Sequence, residues 1–299
     1  MLRTLPQKPL STYWERIASL ALLGAIVVYF LPVLTAYYEH WLAGGGKVEN
    51  RAIALVAIIY LVTQQKDLLQ APLARAGDLW IGFATLFGGL LLARVPLLNI
   101  QGLALSTALL GLLWFRWGRL GLAHLGKPLC ILALALGTDG LADQFLSVYT
   151  PLVQWLQYLD ALIAGYVLWG VGYPVELYAT VIRIGQAGVD VYDGCSGIHS
   201  LIEIGVLAGV AILTISKRDR AANLRYFFAC MAITFGFNLL RILLLAFASI
   251  YVGQEAFDAL HTGWGADVYA NLVGLTAIVF TARYFQWNPF APKTDSDGV

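Results

Sequence analysis

Charge is what this sequence has least of. Only 12% of its 299 residues are Asp, Glu, Lys or Arg, against about 25% in an ordinary soluble domain. The deficit runs along the whole chain, and 59% of the residues are hydrophobic. That excludes a water-soluble globule and predicts an all-α polytopic membrane protein, because only helices or closed barrels satisfy their own backbone in lipid. A net charge of +1 leaves no basic footprint, so no nucleic acid partner is expected. Cysteine is equally scarce. Cys130 and Cys230 lie inside apolar runs, where a thiol behaves as a small hydrophobe, and no paired disulfide framework is visible. Metal-ligand spacing, a phosphate-binding glycine loop, a nucleotide motif and internal repeats are all missing, so no metal and no cofactor is expected. The amino terminus shows no cleavable signal pattern; the run at 17–36 is too long for one and reads as a first span.

What the chain does have is apolar runs. Eight read as spans, at 17–36, 52–63, 79–93, 97–115, 128–146, 196–215, 226–250 and 266–285. A ninth, 151–170, carries Gln154, Gln157 and Asp160 and fits an interfacial or re-entrant helix better than a full span. Basic residues concentrate in cytoplasmic loops. With both termini inside, Arg116, Arg119 and Lys127 fall inside, as do Lys217, Arg218, Arg220 and Arg225; Lys47, Arg51, Arg94 and Arg183 fall outside. The expectation is one integral domain over 1–299 in the cytoplasmic membrane, with its polar motifs in 171–265 and a polar cytoplasmic tail at 286–299.

Residues 173–193 are the one long stretch without helical apolar character. Val175, Leu177, Val181, Ile182 and Ile184 precede Gly185-Gln186-Ala187-Gly188, after which 189–193 alternates. This reads as an extracytoplasmic β-hairpin whose last strand delivers Cys195 to the start of a helix. Such a hairpin is either a lid or an edge along which an extended peptide pairs.

Cys195 stands in Asp193-Gly194-Cys195-Ser196-Gly197-Ile198-His199, where a turn-rich stretch gives way to an apolar run. At a helix amino terminus the dipole lowers a thiol pKa and favours the nucleophilic thiolate. Gly194 and Gly197 allow close approach of a substrate, and first-turn amides can donate to an oxyanion. Cys195, His199 and Glu203 are spaced by four, which predicts one shared helix face. Arg241 sits mid-span, where it costs at least about 2.5 kcal/mol unless it faces the interior and is paired. Glu203 is its expected partner, and Asn238, one turn earlier, can orient either. His261, before the last span, is the favoured general base; Asp258 or Asp267 can orient its ring, and His199 is the rival base.

Cys195-Ser196-Gly197, then Asn238 to Arg241, then His261, in that order on successive spans, resemble the exosortase/archaeosortase family. The resemblance covers mainly 193–265, and the Asp193-Gly194 lead-in is similar to cyanobacterial-type members. It implies about eight spans and a membrane cysteine protease or transpeptidase with Cys195, Arg241 and His261 as catalytic residues. It also implies as partners exported proteins whose carboxyl end carries a short Pro-Glu-Pro-like motif, an apolar helix and a basic tail, together with membrane lipid and an acceptor nucleophile of unstated identity. His199 departs from the pattern, since many bacterial relatives carry Arg or Lys there. Two other functions fit the residues: a cysteine-dependent membrane acyltransferase, and a transporter or polysaccharide-export component in which Glu203, Asn238 and Arg241 line a path.

Overall fold

The computed structural model of the chain describes residues 11–43, 48–65, 74, 76–138, 150–192 and 195–286. Among these lie eleven helices and one three-stranded sheet, an all-α polytopic membrane fold with a small sheet. Five helices are long and apolar enough to cross a membrane, six if one bent pair counts as a single span. The chain divides into two compact units, 1–140 and 141–299.

In the first unit, α1 (Ser11–Tyr29) and α2 (Leu31–Ala43) meet at a 50° bend. Pro32 lacks the amide that would continue the ladder, so the helix breaks just before it. α3 (Val48–Thr63) and α4 (Ala76–Leu92) are shorter apolar helices. α5 (Leu98–Trp117) and α6 (Arg119–Gly137) are separated by Gly118 alone, in a left-handed conformation at φ +57°. The span expected at 128–146 therefore starts earlier. Pro128 is buried within α6, and the true break is one left-handed residue, which carries a weaker sequence signal than a proline. Residues 139–146 lie outside the described residues. α4 and α5 pack backbone to backbone: a Cβ on Gly111 would stand 2.3 Å from the Leu86 nitrogen. Small residues serve membrane helices in this way, since lipid supplies no hydrophobic drive for association.

In the second unit, α7 (Thr150–Gly170) precedes the sheet. Then come α8 (Ile198–Ile215), α9 (Arg220–Tyr251), α10 (Gln254–His261) and α11 (Trp264–Phe285). α7 is not among the helices apolar enough to cross; its buried residues include Gln157 and Asp160. α9 organises this unit. Asp219 caps its start, accepting from the Ala222 amide at 2.8 Å. Its 32 residues make it roughly 48 Å long, some 18 Å more than a hydrocarbon core of about 30 Å. Its carboxyl-terminal half is covered by α7, the sheet and α10. Ala161, Ala164 and Leu168 from α7, Ile182, Val189 and Val191 from the sheet, and Ile242, Leu245 and Ala246 from α9 make one buried core that includes Cys195.

The expected hairpin has a third strand. β1 (Val175–Tyr178), β2 (Val181–Ile184) and β3 (Ala187–Asp190) pair antiparallel in order. The turn after Ile184 is the expected one. The turn at Ala179-Thr180 puts a non-glycine residue at φ +52°, so the residues from 175 to 184 read in sequence as one uninterrupted strand. The polar tail expected after Gln286 lies outside the described residues.

Candidate active site

Cys195 lies in a short 3₁₀ turn and not on α8. Its amide donates to the Tyr192 carbonyl at 2.8 Å, closing a tight turn, and α8 begins only at Ile198. Between them Gly197 is left-handed at φ +67°. That residue resets the chain direction, so the spacing of four does not bring Cys195 onto the face shared by His199 and Glu203. Gly197 is also a point of contact, since a Cβ there would stand 2.8 Å from Asn238 Cγ.

Asn238 anchors the turn. Its Nδ2 donates to the Cys195 carbonyl at 2.9 Å and to Asp160 Oδ2 at 3.0 Å, using both hydrogens. Asn238 is 1% exposed and Asp160 fully buried. α7 and α9 thus fix the backbone of the cysteine through one amide. Asp160 registers in the sequence only as a charge that spoils an apolar run; its place beneath Cys195 is set by packing.

The Cys195 Sγ faces His261 Nε2 at 3.1 Å. His261 is the last residue of α10 and is 8% exposed. Its ring stacks on Phe257 at 5.3 Å and 13°, and the Tyr192 ring lies 5.3 Å away, tilted by 56°. The Tyr192 hydroxyl is 3.0 Å from Nε2. The Asp258 carboxylate, one expected orienting group, accepts from Gln254 instead, at 2.9 Å. The ring is therefore held by aromatic neighbours. Neither Tyr192 nor Phe257 belongs to a pattern that sequence reading would single out.

Arg241 reaches the same residue from α9. Its Nη2 donates to the His261 carbonyl at 2.9 Å, and the guanidinium lies 5.2 Å from the centre of the Tyr269 ring. The last carbonyls of a helix lack intrahelical partners, and a cation there also complements the dipole. Arg241 thus caps α10 and sets the height of His261, while its Nε is buried without a hydrogen-bond partner. The Glu203 side chain is half-buried on α8, as is His199. Ser196 is buried beside Cys195.

Electrostatics correct one expectation. Burial pushes the Cys195 thiol up to about 11, against a smaller downward pull from Arg241. The dipole benefit is missing because the thiol precedes the helix by three residues. Burial, with Arg241 second, lowers His261 from its ordinary 6.5. At neutral pH the resting pair is a neutral thiol facing a neutral imidazole.

The family model described as transmembrane exosortase matches residues 41–280, most of the chain and the whole of this constellation. The chain belongs to the transmembrane exosortase family. None of the curated proteins and none of the solved structures matches this exosortase. Membership makes it a multi-pass membrane protein of a transpeptidase and protease family.

Proposed function

We propose that this exosortase is a cysteine peptidase or transpeptidase. It cuts exported proteins near a short motif that precedes a carboxyl-terminal membrane helix and basic tail. The observation that carries this reading is the 3.1 Å contact between Cys195 Sγ and His261 Nε2, within general-base reach of a nucleophile.

The cycle begins from the neutral pair. His261 Nε2 takes the thiol proton as Sγ bonds to the scissile carbonyl carbon, and the carbonyl electrons move to oxygen. Arg241 stabilises that oxyanion through its charge; the Cys195 amide is engaged with Tyr192 and does not serve. As the C–N bond breaks, His261 returns the proton to the leaving amine, and the protein is held as a thioester on Cys195. An acceptor amine or water then attacks. His261 takes its proton and restores it to sulfur as the C–S bond breaks. Asn238 holds the carbonyl of Cys195 throughout.

In the membrane both termini face the cytoplasm, an orientation that the basic loops support, and Cys195 and His261 lie on the extracytoplasmic side. The substrate helix sits beside the bundle and its basic tail stops inside.

The test is processing of a reporter bearing a Pro-Glu-Pro-type signal, with Cys195→Ala, Arg241→Ala and His261→Ala compared at matched membrane levels. Loss in all three is expected. Normal processing by Cys195→Ala would remove the nucleophile and the mechanism with it.

A further inference from the structure

β3 has an open edge that runs toward the nucleophile. The Val191 amide donates to the Thr180 carbonyl at 3.0 Å, and the register pairs Ile182 with Val189 and Ile184 with Ala187. Hydrogen-bonded and non-bonded pairs alternate along an antiparallel ladder. Ala187, Val189 and Val191 therefore turn their backbone groups toward β2, while Gly188 and Asp190 turn theirs outward. Both outward residues are exposed, and Val189 between them is buried. A cleft of about 570 Å³ flanks the far end of this edge, lined among others by Gln186, Gly188, Ser249, Ile250 and Gln254. Past the near end of β3 the chain runs through Val191 to Tyr192, whose hydroxyl lies 3.0 Å from His261 Nε2. From Gly188 to Tyr192 is about 14 Å of extended chain.

We infer that the extended segment of the substrate preceding the cut adds to β3 as a fourth strand. It hydrogen-bonds to the backbone of Gly188 and Asp190, and this pairing carries its scissile carbonyl to Cys195. The inference rests on the processing function proposed above and assigns where that substrate docks. Pairing with an edge strand recognises main chain first. It requires an extended peptide and excludes a helical one at this point. A peptide ahead of a membrane helix is held to this geometry only if something pairs with its backbone, and the outward backbone groups of β3 lie on the strand that leads along the chain to the thiol.

Asp190→Pro tests the edge. Proline removes an outward donor, and because that amide is not part of the β2–β3 ladder, the sheet is kept. Processing of the Pro-Glu-Pro-type reporter by Asp190→Pro is expected to fall at least about tenfold below that of Asp190→Asn, which sheds the same charge near Cys195 but keeps the amide, while iodoacetamide alkylates Cys195 at equal rates in the two variants. A second measurement uses Asp190→Cys in a Cys195→Ser chain, with single cysteines scanned through the reporter segment. Disulfides are expected at alternate positions, the period of a strand. Undiminished processing by Asp190→Pro, or crosslinks without a period of two, overturns the inference while leaving the processing function standing. A wild-type chain that leaves the reporter uncut overturns both.

Discussion

The hydroxyl of Tyr192 lies 3.0 Å from His261 Nε2, the same nitrogen that Cys195 faces at 3.1 Å. A neutral imidazole nitrogen offers one lone pair, so phenol and thiol compete for it. Tyr192→Phe removes the competitor and leaves the ring. We expect Cys195 to be alkylated about two- to tenfold faster at neutral pH, the worth of one net hydrogen bond. Slower alkylation would mean that Tyr192 supports the base rather than occupying it.

The pH dependence follows from two shifts of opposite sign. His261 must be neutral to accept the thiol proton, and its pKa lies below the ordinary 6.5. Processing should therefore survive as pH falls through 6.5 and be lost only further down. The thiol, held up to about 11, is protonated at pH 8, so its alkylation should rise about tenfold per pH unit well past that point. A processing rate already halved above 6.5, or an alkylation plateau near 8.5, would contradict the buried neutral pair.

Asn238 and Gly197 act together under the nucleophile. Asn238→Ala strips the Cys195 carbonyl and Asp160 of a shared donor, each buried, at a cost of about 1–3 kcal/mol per unsatisfied group. Gly197→Ala meets the left-handed penalty of ~1–2 kcal/mol as well as a clash at 2.8 Å with Asn238. Both variants should melt earlier in detergent and process poorly. A normal melting temperature in Gly197→Ala would show that the turn is not held as described.

Asp160 gives a stability signature. Burial raises its carboxyl from 3.8 to about 7, against the lowering effect of the Asn238 hydrogen bond. A pKa raised on folding favours the folded state at low pH, and that contribution is lost as pH rises from 3.8 through about 7. The wild-type melting temperature should fall between pH 5 and 8 by more than that of Asp160→Asn, which keeps an acceptor for Asn238 without a titrating group. Equal slopes would place the titration elsewhere.

Arg241 caps α10 and exerts the largest effect of any charge on the Cys195 thiol. Arg241→Ala is expected to reduce processing by about 10²–10³-fold, the scale of losing an oxyanion donor. Arg241→Lys should not rescue it, because a single ammonium cannot hold the His261 carbonyl and also sit over the Tyr269 ring as the larger guanidinium does. Rescue by lysine would reduce the role to simple charge.

The sequence by itself determined the solvent and the raw materials. Sparse charge and long apolar runs are properties of each segment alone, so the membrane class, the helices and the strand-forming stretch were legible without any tertiary contact. Cys195, Asn238, Arg241 and His261 were legible as residues because each is out of place in its surroundings. Their arrangement was decided by packing. Helical spacing put Cys195 over His199, but Gly197 breaks the helix and turns the thiol toward His261, 66 positions away. Arg241, read in sequence as a partner for Glu203, caps the carbonyl of His261. Asp160 and Tyr192 join the site only because α9 is long enough to gather α7, the sheet and α10 around its end. The sign of the thiol shift was settled there too. A helix dipole acts only within the first turn, whereas burial acts wherever the core closes, and Cys195 lies beyond the reach of the first and inside the second.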